Sequence, residues 1–132
     1  MKTFYLRELA HARSGDKGDI NNIGVIAYEP HYYPLLLQWV TAERVKAHFG
    51  SLVKGRVTRY EMPNVHAINL VLEGALGGGV TRSLSIDPHG KSYSALILTI
   101  PVEVPPDIAE ELIQRGRQPL DAGQIRDSTH CA

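Results

Sequence analysis

A polar, glycine-rich run between residues 12 and 25 offers most of the chemistry in this sequence. It places an arginine, a serine, two aspartates, a lysine, two asparagines and three glycines between two apolar stretches. Glycines let the backbone turn tightly or come close to a ligand, and the polar side chains provide donors and acceptors in one place. A plain connecting turn needs one or two such residues, so the run is the first candidate for a functional site.

The cations and hydroxyl of this run are suited to an anion or another polar ligand. Arg13 and Lys17 carry the charge, and Ser14 and the backbone amides of Gly15 and Gly18 add donors. The alternative is an elaborate hairpin turn whose polar side chains bond backbone amides. Residue chemistry alone leaves both interpretations open.

Oxygen ligands for a hard metal ion are present in the same run. Asp16, Asp19 and Asn21 are of the type that such ions prefer. The spacing matches neither an EF-hand loop nor a phosphate-binding P-loop, because the residues that define those motifs are missing. Asp16 and Asp19 are therefore metal candidates without a named ion, and no cofactor is assigned.

Three further residues join the candidate site. Gly78, in a triple-glycine segment, and Arg82 together could approach an anion, although a helix C-cap and a flexible turn are the favoured explanation of the glycines. Asn69 lies among apolar residues, where a buried amide needs a hydrogen-bond partner, and the polar run would supply one. The alternative is an exposed asparagine on the solvent side of the predicted helix. The candidate ligand-binding or interface residues are therefore Arg13, Ser14, Gly15, Asp16, Lys17, Gly18, Asp19, Asn21, Asn22, Asn69, Gly78 and Arg82.

Composition is that of an ordinary soluble domain of 132 residues. The formal net charge is zero, which gives no general attraction to nucleic acid or to an anionic membrane. The single cysteine, Cys131, excludes an intramolecular disulfide framework and is typical of a reducing compartment. No apolar stretch is long enough for a membrane span, and no leader is recognised, so a cytoplasmic protein is expected.

Periodicity and breaker residues predict an α+β protein with one domain over residues 1–116 and a loosely held polar tail over 117–132. Thr41 is the expected N-cap of the second helix and Gly50 its end. The predicted strands cover residues 3–12, 22–28, 54–62, 82–87 and 93–104, and the predicted helices cover 33–40, 42–49, 65–76 and 105–115. This order favours a two-layer, ferredoxin-like sandwich with an antiparallel or mixed sheet and helices on one face.

The segments 9–19 and 22–25 together resemble the small domain at the C-terminus of acyclic terpene utilisation (AtuA) proteins. Segments 59–63, 67–72, 75–80 and 90–91 continue the resemblance in the same order, so that it covers about residues 3 to 100. The resemblance implies a ferredoxin-like fold and a place in the degradation of acyclic terpenoids or branched acyl compounds. The family domain occurs fused to a large domain or beside one, and this chain is expected to be the stand-alone form. No catalytic residue is carried over.

Three functions follow as hypotheses. The first is an accessory subunit or domain that works with a larger AtuA-type protein and contributes the loop from Arg13 to Asn22 to a shared site. The second is a small enzyme or binding protein for an anionic, acyl-CoA-like ligand, with Asp16 or Asp19 as the acid–base group. The third is a self-associating module, because ferredoxin-like sheets often pair, and a homo-oligomer is expected. Fold alone does not choose among them.

Overall fold

Two antiparallel sheets and four helices form the structure, a computed structural model that describes residues 1–17, 20–74 and 91–121. The strands are β1 (Lys2–Tyr5), β2 (Ala10–Lys17), β3 (Ile20–Ala27), β4 (Val57–Met62), β5 (Ala67–Glu73) and β6 (Pro101–Val104). The helices are α1 (Tyr33–Trp39), α2 (Ala42–Phe49), α3 (Lys91–Ile97) and α4 (Pro106–Gln114). The α+β architecture expected from the sequence is confirmed.

The larger sheet has the strand order β2-β3-β5-β4, and β1 pairs with β6 in a separate two-stranded sheet. Buried and more exposed side chains alternate along the central strands, and the buried set shows which side of the larger sheet faces the core. Ile68, Leu70 and Leu72 of β5 are fully buried, and Ile23 and Val25 of β3 lie beside them. The residues between them occupy the other side of the sheet, because successive side chains of a strand point to opposite faces.

The polar run from Arg13 to Asn22 is mostly strand. β2 and β3 form the predicted hairpin, but pairing continues to Lys17 and Ile20, so only residues 18 and 19 lie between the paired positions. Residues 18 and 19 lie outside the described part of the chain. The polar loop that the sequence predicts from Arg13 to Asn22 is therefore wrong, because the backbone groups of the run bond across the hairpin.

The predicted strand over residues 3–12 is in fact two strands. A single helical turn, Leu6–Glu8, separates β1 from β2. The Leu6 amide donates to the Ile100 carbonyl at 2.9 Å, and the Leu6 side chain is fully buried. The break lets the chain pass from one sheet to the other.

The predicted helix over residues 65–76 is also wrong, because residues 67–73 form β5. Its apolar residues fit both a helical spacing and a period of two. His66 precedes the strand in the left-handed region, with φ 54°, and so ends any helical turn at that point. Pairing with β3 on one side and β4 on the other then makes β5 a central strand.

The predicted strand over residues 93–104 divides into α3 and β6. Tyr93, Ile97 and Ile100 are buried at spacings of four and three, which suit one face of a helix and the turn after it. Only residues 101–104 pair with β1. The predicted strand over residues 82–87 lies outside the described residues.

The predicted helices over residues 33–40, 42–49 and 105–115 are confirmed. Thr41 caps α2 as expected, since its hydroxyl accepts a hydrogen bond from the Arg44 amide at 3.2 Å. After α4 the chain returns to β1, where the Leu120 amide donates to the Thr3 carbonyl at 2.7 Å. None of the helices within residues 1–17, 20–74 and 91–121 is long and apolar enough to cross a bilayer.

Candidate functional site

The outward side of the larger sheet is a surface that we call the open face. Its side chains are exposed or half-buried, apart from the small Ala67. Three apolar side chains are strongly exposed, with exposed fractions of 40% for Ile20, 54% for Tyr60 and 46% for Met62. The open face consists of His11, Arg13 and Gly15 of β2, Ile20, Asn22, Gly24 and Ile26 of β3, Thr58, Tyr60 and Met62 of β4, and Ala67, Asn69, Val71 and Glu73 of β5.

One transverse row crosses the middle of the open face. Arg13 pairs with Gly24, Gly24 pairs with Asn69, and Asn69 pairs with Tyr60. Neighbouring strands lie about 4.8 Å apart, so the backbones of Arg13 and Asn69 are separated by about 10 Å. Gly24 alone stands between them.

Gly24 therefore leaves a shallow depression in the open face. A Cβ atom built on Gly24 would meet only the Cδ1 atom of Ile26, at 4.0 Å. Arg13 and Asn69 border the position across the strands, and Asn22 and Ile26 border it along β3. We call this feature the Gly24 depression.

Arg13 has no hydrogen bond or ion pair with any other described residue, and its side chain is exposed. Arg59 on the opposite side of the sheet differs, because it donates to the Leu37 carbonyl at 2.7 Å and to Glu61 at 2.8 Å. Arg115 likewise pairs with Glu29 at 3.2 Å. Arg13 is therefore a cation that the described part of the fold leaves available to a ligand.

The amides of Asn22 and Asn69 add donors and acceptors to the same surface. Asn22 is exposed and Asn69 is half-buried, and neither side chain has a hydrogen-bond partner among the described residues. The helix predicted for Asn69 is wrong, yet β5 brings Asn69 next to Gly24 of the polar run. Strand pairing thus places Asn22 and Asn69, which are 47 positions apart in the sequence, on the same surface.

The inner side of the sheet holds Asn21 and Ser14, two further described members of the run. Asn21 is completely buried, and neither atom of its amide has a hydrogen-bond partner within the described part of the chain. Asn21 lies in register between Asp16 of β2 and Leu72 of β5. Ser14 is half-buried and pairs in register with Ile23. The run is therefore divided between the two faces and does not form one cluster.

The side chains of the remaining candidates lie outside the described part of the structure. The backbone of Lys17 pairs with Ile20 and that of Asp16 with Asn21. Gly18, Asp19, Gly78 and Arg82 lie outside the described residues. No group of three His, Cys, Asp or Glu side chains suited to a metal occurs in the portion that is described. A metal at Asp16 and Asp19 stays a prediction.

A second polar cluster, which sequence reasoning missed, surrounds a cavity of about 270 Å³. Arg117 pairs with Glu8 at 3.2 Å and lies over the ring of Tyr28. These contacts join residues up to 109 positions apart, so no local pattern signals them. The cavity is bordered by Glu8, Tyr28, Glu29, Tyr32, Leu112, Arg115 and Arg117. Because its arginines are paired with glutamates, the cluster joins α4 and the chain after it to the helical turn Leu6–Glu8 and to the segment that follows β3.

Glu111 of α4 anchors one side of this cluster. Its carboxylate accepts a short hydrogen bond from the Tyr32 hydroxyl and lies 2.7 Å from Nε2 of His31. The hydrogen bond from Tyr32, followed by that from His31, lowers the pKa of Glu111. Burial, followed by the bond to Glu111, raises the pKa of Tyr32 to about 12. Tyr32 is thus a neutral donor and not an acid–base group at physiological pH.

Comparison with known proteins identifies the family of the chain. The AtuA ferredoxin-like domain family matches residues 4–103, which confirms the resemblance found in the sequence. No curated protein matches the chain. No solved structure matches it either.

Proposed function

The chain belongs to the AtuA ferredoxin-like domain family, and we propose that it works as an accessory subunit or domain of a larger AtuA-type protein. The open face is the docking surface, and the polar run of β2 and β3 contributes to a site shared with the partner. The reaction served is a step in the catabolism of acyclic terpenoid or branched acyl compounds, in the cytoplasm.

The observation that carries this proposal is the composition of the open face. Tyr60 and Met62 are about half exposed on β4, and Ile20 is exposed on β3. Protein interfaces are enriched in tyrosine, methionine and arginine. Arg13 supplies the arginine, and it has no partner within the described residues.

Capture of partners by the tagged chain in its native cells, followed by mass spectrometry, tests the proposal. Wild type should retain an AtuA-type large domain. The double variant Tyr60→Ser, Met62→Ser should lose it, because both side chains lie on the open face. Ile113→Ser is the matched control, since Ile113 is 43% exposed on α4, outside that face. Equal retention by all three proteins, or none by wild type, would contradict the proposal.

A second candidate function rests on Arg13 itself. An exposed arginine with no counter-ion among the described residues also suits a self-contained enzyme or binding protein for an anionic, acyl-CoA-like ligand. Calorimetric titration of the purified chain with coenzyme A and acetyl-CoA tests this function. Binding that is lost in Arg13→Gln would favour it over docking.

Self-association through the open face is the third possibility, and a homo-oligomer remains our expectation. Light scattering of the purified chain tests it directly. A dimer that Tyr60→Ser, Met62→Ser converts to a monomer would place a second copy on the open face. A monomer at all concentrations would leave that face available to the AtuA-type partner.

A further inference from the structure

We infer that the Gly24 depression receives the carboxylate of an aspartate or glutamate side chain from the AtuA-type partner. This inference rests on the proposed function and assigns the chemistry of the contact. The occupant is a protein side chain because the depression lies within the open face, among the exposed apolar residues that the partner covers.

The shape of the depression suits a single projecting group. Gly24 contributes only backbone to its floor, and a Cβ there would meet nothing closer than 4.0 Å. Side chains on all four sides rise above this floor, because Arg13 and Asn69 flank it across the strands and Asn22 and Ile26 flank it along β3. An incoming side chain therefore finds a gap about 10 Å wide between two flanking backbones.

The polar groups around the depression are suited to an anion with one charge. Arg13 presents the planar donor fork that binds a carboxylate with two parallel hydrogen bonds. The amide groups of Asn22 and Asn69 add further donors. Arg13 is the one cationic side chain among the four that flank Gly24 directly, and a phosphate group would bring nearly two negative charges. A carboxylate is the better match.

The fourth side of the depression is apolar. Ile26 is half-buried beside Gly24 along β3, and the small Ala67 pairs with Ile26 on β5. The methylene groups of an aspartate or glutamate side chain can pack against these two residues while the carboxylate meets Arg13. Inorganic anions lack such a stem, so the mixed lining favours an acidic side chain.

Binding of the full chain to the captured AtuA-type partner, measured by calorimetry, tests the inference. Arg13→Gln should weaken binding about tenfold or more, because it removes a hydrogen bond to a charged group. Gly24→Val should weaken binding without changing charge, since it fills the depression with a residue that suits a strand. Asn69→Asp should weaken it by repulsion. Arg44→Gln, an exposed arginine of α2, is the control and should bind as wild type does.

The outcomes separate this inference from the proposed function. Failure of wild type to bind any AtuA-type partner removes the docking proposal and the inference with it. Loss of binding in Tyr60→Ser, Met62→Ser together with wild-type binding in Arg13→Gln and Gly24→Val removes only the inference. Loss of partner binding in both sets of variants supports the docking proposal and the inference together.

A free carboxylic acid could occupy the depression in place of a protein side chain, and a separate titration tests this alternative. Sodium 3-methylbutanoate is titrated into the full chain while the amide NMR signals of Gly24 and Asn69 are followed. Saturable shifts that vanish in Arg13→Gln, with partner binding unaffected by that variant, would overturn the inference in favour of a small-molecule site. Absence of saturation together with loss of partner binding in Arg13→Gln supports the protein carboxylate.

Discussion

Tyr32 donates a hydrogen bond to Glu111 across 79 positions of sequence, and this bond connects the turn before α1 to α4. The same carboxylate contacts His31, so one side chain of α4 holds two consecutive residues of that turn. Since Tyr32 is almost fully buried, the bond also satisfies a hydroxyl that would otherwise be buried without a partner.

Replacement of Glu111 should make the stability of the protein less sensitive to acid. Folding lowers the pKa of Glu111 below its usual value near 4.5, chiefly through the Tyr32 hydrogen bond. The folded state therefore favours the carboxylate, and the stability gained is present above about pH 4.5 and lost as pH falls through the folded pKa. Urea unfolding between pH 6 and pH 3 should show a shallower loss for Glu111→Gln than for wild type. Tyr32→Phe should behave similarly, and parallel curves for all three proteins would contradict the argument.

His48 should make a separate contribution at mildly acidic pH. Its Nε2 atom lies 3.0 Å from the Leu96 carbonyl and 2.9 Å from Oγ1 of Thr99, and burial lowers its pKa below 6.5. The folded state favours the neutral ring, so its contribution is present above about pH 6.5 and is lost as pH falls through the lower folded pKa. His48→Gln keeps a donor for Leu96 and does not titrate. The difference in unfolding free energy between wild type and His48→Gln should therefore change below pH 6.5, and a difference independent of pH would refute this.

Asn21→Val should stabilise the isolated protein. The Asn21 amide is fully buried with no hydrogen-bond partner in the described residues, and an unsatisfied buried polar group costs about 1–3 kcal/mol. Valine removes the amide and suits a strand. Denaturant unfolding should show a gain of about that size. A loss of stability would contradict this argument.

Two glycines provide a matched pair of substitutions. A Cβ on Gly55 would lie 2.6 Å from the Glu73 carbonyl oxygen, whereas a Cβ on Gly15 would meet nothing within 4 Å. Gly55→Ala must displace backbone at the end of β5 and should cost about 1–3 kcal/mol. Gly15→Ala should change stability by less than about 0.5 kcal/mol, as expected for an exposed position. Similar thermal shifts for the two variants would show that the close approach at Gly55 relaxes freely.

Local signals were sufficient wherever a cap or a breaker marks an element. Thr41 and Gly50 bound α2 as their residue types predict, and the paired prolines at 105 and 106 begin α4. The hairpin of β2 and β3 also follows from glycine and asparagine between apolar runs. These features depend on a few neighbouring residues, and so the sequence around them contains the necessary information.

The candidate site required the tertiary structure. Arg13, Gly24 and Asn69 form one row only because β3 pairs with β2 on one side and β5 on the other. Short apolar runs fit both a helical period and a period of two. For this reason the sequence predicts a helix over residues 65–76 where the structure has β5. The contact between Glu111 and Tyr32 is likewise invisible in a local pattern.

The sequence by itself determined the α+β class, the family and the segments that carry polar chemistry, because composition, caps and motifs are local properties. Only the tertiary structure decided that residues 67–73 form a central strand and that Arg13 and Asn22 lie on one face while Asn21 is buried on the other. The physical reason is that strand pairing is non-local. Alternation by single residues assigns each side chain to a face only after the register with distant strands is set.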